Sequence, residues 1–216
     1  MAPSVDGRIV TRGWKIGPEL YEEYERTAAT FGADAWIIGR ISMEPYAGRA
    51  TLPPRSGLVP RTDFIARKEA ASFAIAIDPK GKLRWKSGSI DEDHVITVLS
   101  ERVADRYLSF LRQQGVSYVF GGKDGINLPA VLTKLRKLFG IRKLLLEGGG
   151  KINGSFLAAG VIDELSLLVA PVADGSVGTP SLFDAREGRG PARPLALIGM
   201  QKRHGGLVWL RYKVRP

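Results

Sequence analysis

An α/β fold built on a mainly parallel sheet, with an antiparallel hairpin at its carboxyl end, is what these 216 residues predict. Three observations predict it. Short apolar runs of strand length alternate with amphipathic segments of helix length, the pattern of a parallel sheet with helical crossovers. Three glycines, Gly148 to Gly150, stand directly between one such run and one such helix. The last two runs flank His204-Gly205-Gly206, a hairpin signal that adds an antiparallel strand at one side, as mixed sheets often have.

The elements follow in chain order. Gly17 to Gly32 predicts a helix. Pro18 suits its first position, Leu20, Tyr21, Tyr24, Ala28 and Phe31 make one apolar stripe, and Gly32 suits the residue just past its end. Ala35 to Gly39 (AWIIG) reads as a short buried strand, and the Pro- and Gly-rich stretch Ala47 to Pro60 as a surface loop. Ser72 to Asp78 (SFAIAID) and His94 to Leu99 (HVITVL) are strands, with a turn at Pro79-Lys80-Gly81. Val103, Tyr107, Leu108 and Leu111 mark a helix ending near Gly115, before a strand from Val116 to Phe120. Asn127 is a good N-cap for a helix with Leu128, Val131, Leu132, Leu135 and Leu138 on one face and Gly140 at its close. Lys143 to Glu147 (KLLLE) is a strand, and the glycines after it open a helix through about Ala159. Asp163 to Ala170 is a strand and Pro171 to Pro194 a polar, Gly-rich loop. Leu195 to Lys202 and Leu207 to Val214 form the hairpin. With no internal repeat or linker, residues 1–216 read as one domain.

Composition narrows the function classes. Hydrophobic residues make up 44% and charged residues 25%, as in a globular chain rather than a disordered one. The absence of cysteine excludes disulfides, thiolate metal sites and a cysteine nucleophile. Two histidines, His94 and His204, exclude a His-rich metal cage, so no metal is expected. No apolar run approaches the roughly 20 residues of a membrane span, and the opening residues lack the apolar core of a secretion signal. A cytoplasmic protein without membrane contact is expected. The net charge of +10 attracts anions. Lys and Arg are scattered among acids, and the aromatics do not interleave with them, which favours phosphorylated small molecules over nucleic acid.

Four segments could carry chemistry. In LLLEGGGK, Leu144 to Lys151, glycines lie between a buried strand and a helix start, where backbone N–H groups and a positive helix dipole can receive a pyrophosphate. A tight turn that binds nothing is the alternative. Glu147 would repel a phosphate and reads better as an acceptor from helix-terminal N–H groups or a hydroxyl. At Gly39-Arg40-Ile41-Ser42, Arg40 offers a bidentate fork for phosphate and Ser42 a hydroxyl. Ser4-Val5-Asp6-Gly7 and Asp78-Pro79-Lys80-Gly81 are ordinary turns by composition, though Lys80 could reach a phosphate from a strand end. No Ser/His/acid triad and no strong general acid or base can be argued. Hydride transfer would suit such a chain, because it asks mainly for positioning of a cofactor and a substrate.

Together the segments SVDGRI (Ser4–Ile9), DAWIIGRISME (Asp34–Glu44) and LLLEGGGKINGSFLAAGVIDELSLLVAPVADG (Leu144–Gly175) resemble the reductase domain of the riboflavin-biosynthesis deaminase–reductase and its stand-alone relatives. The resemblance implies the three-layer dihydrofolate reductase-like fold, NADPH as cofactor and a homodimer. The implied reaction is hydride transfer to the ribosyl C1′ of a phosphorylated 5-amino-6-ribosylamino-pyrimidinedione. Carried over, Gly148, Gly149, Gly150 and Lys151 would cradle the pyrophosphate beside Glu147. Gly39, Arg40 and Ser42 would hold cofactor phosphates. Asp78 and Lys80 would lie near the adenosine ribose, with Lys80 on the 2′-phosphate, and Ile126 would line the cofactor cleft. Ser4, Asp6 and Glu44 would meet the substrate, with Asp6 as the catalytic candidate.

The chain departs from that pattern in places. Only Met1, Ala2 and Pro3 correspond to the strand that the family has ahead of its SxDG segment, and no deaminase zinc motif is present. Arg49, Arg55 and Arg61 are the local options for a substrate phosphate. Two other readings stand beside this one: a reductase of the same fold for another pteridine-like or unsaturated heterocycle, and a non-catalytic nucleotide-binding protein.

Overall fold

A computed structural model describes residues 1–54, 57–184 and 192–215. The chain divides into two compact units, a contiguous one, Ala33–Leu146, and a discontinuous one made of Met1–Gly32 and Glu147–Pro216. Helix α1 (Glu19–Ala29) belongs to the discontinuous unit. The contiguous unit runs through β1 (Ala35–Gly39), α2 (Arg40–Ala47), β2 (Phe73–Ile77), β3 (Ser89–Ile90), β4 (Asp93–Ser100), α3 (Asp105–Gln113), β5 (Ser117–Gly122) and α4 (Leu128–Phe139). Strand β6 (Leu144–Gly148) leads into the second unit, where α5 (Gly150–Ala158), β7 (Glu164–Val169), β8 (Leu195–Lys202) and β9 (Val208–Val214) follow.

The larger sheet has the order β3-β4-β2-β1-β6, with β5 also paired to β4. Strands β1, β2, β4 and β5 are mutually parallel. The two-residue β3, too short to leave a sequence signal, is antiparallel to β4. The apolar runs FAIAI and HVITVL are buried almost throughout, as strands covered on both faces should be. Trp85, Tyr107, Phe110 and Tyr118 are fully buried among them. Backbone bonds tie the loops at the carboxyl edge together: Ser100 N–H donates to Pro79 (3.1 Å) and Glu101 N–H to Gly122 (3.0 Å). Helix α4 shows why its limits were readable. The Asn127 side chain accepts from Ala130 N–H at 3.1 Å, and Gly140 ends the helix in the left-handed region at φ +74°.

In the discontinuous unit the hairpin forms where predicted. It pairs with β7 in a separate antiparallel sheet of order β7-β9-β8 and does not extend the parallel one. Alternation gives this sheet two different faces. Leu168 and Trp209 point to one face and are buried with Leu20 of α1. The register puts Leu165, Tyr212 and Leu197 in one row of the other face and Leu167, Leu210 and Met200 in the next.

Two expectations are revised here. Tyr21, assigned to the apolar stripe of α1, is 64% exposed, and Glu23 is buried in its stead. The Glu23 carboxylate is compensated by Arg26 at 2.6 Å and Arg203 at 3.4 Å. The amino-terminal residues also pair: Leu168 N–H donates to Met1 (2.9 Å), Ala170 N–H to Pro3 (2.8 Å) and Val5 N–H to Val172 (2.8 Å). The few residues ahead of Ser4 therefore run along β7 as an extended segment.

Candidate functional site

In the contiguous unit, parallel strands bring their carboxyl ends to one sheet edge, and the site residues predicted there lie at those strand ends or on the helix and turns that follow them. Gly39 ends β1 and caps α2, so Arg40 is the first helical residue. Arg40 forms an ion pair with Glu44 one turn along. Glu44, expected at the substrate, is thus engaged with the predicted phosphate ligand. Ser42 is exposed on the same helix. Lys80 is exposed in the turn after β2.

Asp78, predicted to lie near the adenosine ribose, follows directly on β2. It is 0% exposed, and its Oδ2 accepts from the N–H groups of Lys82 (2.6 Å) and Leu83 (2.8 Å) and from the Tyr107 hydroxyl (3.3 Å). Burial raises the Asp78 pKa, while those bonds and the nearby charge of Arg40 pull it down. Through Oδ2 the carboxylate shapes the turn that presents Lys80, while Oδ1 is buried with no hydrogen-bond partner among the described residues. Ile126 is half-buried in the turn after β5 and packs on Gly121, where a Cβ would come within 2.8 Å of its Cδ1. Arg102 and Lys123 stand exposed at the same edge, Arg102 paired with Asp124. They went unremarked in the sequence because each lies in a short turn of mixed charge. Of the arginines considered for a substrate phosphate, Arg61 is engaged with Asp105 at 2.8 Å and Arg49 is exposed. Arg55 lies outside the described residues.

In the discontinuous unit, Glu147 is half-buried near the end of β6, Gly149 caps α5, and Lys151 is exposed in the first turn. Gly148 (φ +116°) and Gly149 (φ +79°) occupy backbone conformations that side chains rarely adopt. Gly150 is required for a different reason, since a Cβ there would overlap the Asp184 carboxylate and the Ser181 carbonyl. Each glycine therefore has a local cause, independent of any ligand.

Ser4 and Asp6 belong to one tight turn. Ser4 is 2% exposed, and its hydroxyl donates to Asp6 Oδ1 (2.6 Å) while accepting from Arg8 N–H (2.9 Å). The Ser4 hydroxyl, predicted to meet the substrate, is thus engaged within the turn. Asp6 is exposed and also accepts from the N–H groups of Asp174 and Gly175, each at 2.9 Å. The Ser4 hydroxyl, helped by those two N–H groups, holds its carboxyl far below the usual range. Asp6 is therefore an anion at neutral pH. In that form it can attract or orient a group. The contact of this turn with Asp174, which in turn accepts from the Trp14 indole N–H at 2.5 Å, had no local sequence signal.

The helix starts separate into two kinds. Helices α1 and α3 carry acids in the first turn (Glu19 and Glu22; Asp105), and α4 has the Asn127 cap. Helices α2 and α5 have neither an acid in the first turn nor a side-chain cap; α2 begins with Arg40, paired to Glu44, and α5 with Gly150-Lys151, where the Asp184 carboxylate lies against Gly150. A cation at the positive end of a helix dipole is unfavourable by a few tenths of a kcal/mol to about 1 kcal/mol, and a bound anion reverses that. Both helices are among those predicted to receive phosphate, so the residues present fit a phosphate-bearing cofactor. Among the described residues no cluster of His, Cys, Asp and Glu could hold a metal ion, and no helix is long and apolar enough to cross a membrane.

Residues 1–208 match the family described as RibD C-terminal domain. A 2,5-diamino-6-ribosylamino-4(3H)-pyrimidinone 5′-phosphate reductase of Aquifex aeolicus is 30% identical over 91 residues, 42% of this chain and 40% of that protein. One of the same name from Methanothermobacter thermautotrophicus is 31% identical over 94 residues, 44% of this chain and 43% of that protein. The matches thus span about two fifths of those relatives' lengths. Among solved structures, a pyrimidine reductase-like protein of Corynebacterium diphtheriae superposes with a TM-score of 0.73 at 20% identity, over 100% of this chain and 90% of that one. Acinetobacter baumannii RibD superposes with a TM-score of 0.67 at 19% identity, over 100% of this chain and 57% of that one. These likenesses show that the chain shares the fold of those structures.

Proposed function

The chain belongs to the RibD C-terminal domain family, and on that premise we propose that it is an NADPH-dependent reductase of a ribosylamino-pyrimidine 5′-phosphate, working in the cytoplasm as a homodimer. The observation that carries this reading is the pair of uncapped helix starts, α2 with Arg40 and α5 with Lys151, in a family of phosphorylated-pyrimidine reductases. NADPH supplies the hydride when bound. Gly39, Arg40, Ser42, Lys80 and Ile126, together with Gly148, Gly149, Gly150 and Lys151, are the residues proposed to hold it. Asp78 and Glu147 act from behind, Asp78 by fixing the Lys80 turn. Asp6 is proposed to face the substrate as a fixed anion, which suits attraction of a ring amino group or a developing positive charge at C1′. The relatives above are named for the 2,5-diamino pyrimidinone, and the family resemblance implies the deaminated dione, so both are substrates to test.

The second copy is proposed to cover the outer face of the β7-β9-β8 sheet. On edge strand β8, Leu197 and Met200 are 56% and 68% exposed, in rows that continue across Leu165, Leu167, Leu210 and Tyr212. A continuous apolar face of this kind is unusual on a monomer.

The test of the cofactor assignment is fluorescence titration with NADPH and NADH, followed by NADPH oxidation with each pyrimidine. Arg40→Ala and Lys80→Ala should each weaken NADPH binding about tenfold, the value of one charge-assisted contact, and Lys80→Ala should leave NADH binding unchanged. Unaltered NADPH affinity in both variants would remove these two residues from the site.

A further inference from the structure

Residues 179–184 form a strap that grips both predicted ligand-facing segments of the discontinuous unit. On one side it pairs with the turn after Asp6. Leu182 N–H donates to Gly7 (3.1 Å), Ile9 N–H to Pro180 (3.3 Å) and the Arg8 guanidinium to Thr179 (2.9 Å), with an antiparallel bridge between Arg8 and Ser181. On the other side it lies against the first turns of α5. Asp184 N–H donates to Gly150 (2.9 Å), and the Asn153 amide donates to Leu182 (2.9 Å). Its fit there is close. A Cβ at Gly150 would overlap the Asp184 carboxylate and the Ser181 carbonyl, and one at Gly154 would overlap the Asp184 carbonyl. The strap's own shape is set by Asp184, whose Oδ1 accepts from the Ser181 hydroxyl (2.7 Å) and N–H (3.2 Å).

We infer that this strap, with Asp184 as its positioning residue, fixes the spacing between the start of α5 and the Ser4–Arg8 turn, and so sets where Asp6 stands relative to a cofactor held at α5. The inference rests on the reductase reading above. It accounts for Gly154, a glycine inside a helix with a negative φ and no role in phosphate binding, where alanine would otherwise favour the helix. Asp184 lies against Gly150, one of the proposed cofactor residues, through its N–H and its carboxylate, and Ser181 through its carbonyl. Their effect on turnover would pass through the backbone they hold. A misplacement of about 1 Å between reacting groups can cost about a hundredfold in rate without a matching loss of binding.

The experiment compares the unsubstituted chain with Gly154→Ala, Asp184→Ala and Asp184→Asn, measuring NADPH Kd, kcat and thermal midpoint for each. We expect Gly154→Ala and Asp184→Ala to lower kcat about tenfold or more, with NADPH Kd changed less than about threefold. Asp184→Asn, which keeps an acceptor for Ser181, should restore most of kcat. A strap that serves stability alone would lower the midpoint of both damaging variants and leave kcat per folded molecule intact, and that result would overturn the inference. If Gly154→Ala does not fold, the Asp184 pair decides alone: equal kcat in Ala and Asn overturns it. An unsubstituted chain that binds and oxidises no NADPH would instead overturn the reductase reading, and with it this one.

Discussion

His94 and Ser117 share a 2.8 Å hydrogen bond inside the contiguous unit, where the imidazole is 3% exposed. Burial, with a smaller push from the charge of Arg67, lowers the His94 pKa below its ordinary value. The folded state thus prefers the neutral ring more strongly than the unfolded state does. As pH falls through about 6.5, the unfolded chain takes up the proton first. The stability that His94 contributes is complete above that pH and is lost below it, toward the folded pKa. Urea midpoints measured from pH 7.5 to pH 5 should fall more steeply for the unsubstituted chain than for His94→Gln, whose amide can still bond Ser117 and does not titrate. Parallel slopes would show that the ring is not the titrating group. Asp78 works in the opposite direction. Its raised pKa favours the protonated folded form, so its contribution is lost as pH rises through that pKa.

Helix α4 is the element whose ends depend most on single residues. Removing the cap with Asn127→Ala should cost about 1 kcal/mol. The expected sign is a lower urea midpoint with an unchanged slope; a changed slope would point to a broader loss of structure. Helix α4 and the strands of the parallel sheet were legible because their signals are local. Cap residues, continuous apolar runs and glycine stops can each be read within a few residues. The partner of the hairpin was not legible, since the choice between β7 and the parallel sheet depends on pairing across the chain. Glu23 broke the expected stripe of α1 because the arginine that faces it across the unit, Arg203, is far away in sequence. The candidate site divides in the same way. Arg40, Lys80 and Lys151 could be placed at strand ends from pattern alone. The burial of Asp78 and Ser4, and the contacts of Asp184 with α5, arise only once remote segments meet.

At the scale of the whole molecule, the outer face of the antiparallel sheet predicts self-association. Light scattering should give twice the 23.5 kDa chain mass. Leu197→Asp with Met200→Asp should return it to one, with the NADPH Kd changed by less than about threefold, because these residues are absent from the proposed cofactor set. A monomer at micromolar concentration for the unsubstituted chain would remove the dimer reading. The division of the chain also has a consequence for its synthesis. Residues 33–146 find all the partners of their unit within one uninterrupted stretch, so that unit can fold as soon as it has left the ribosome. Residues 1–32 emerge earlier and wait longer. Glu23 meets Arg203, and the opening residues meet Leu168 and Ala170, only when the last third of the chain has been made. Until then α1 presents Leu20 and an incompletely paired carboxylate to solvent. Residues 1–32 are made before residues 33–146 yet mature after them, and in this interval a chaperone, or a slower rate of translation, would have most to protect.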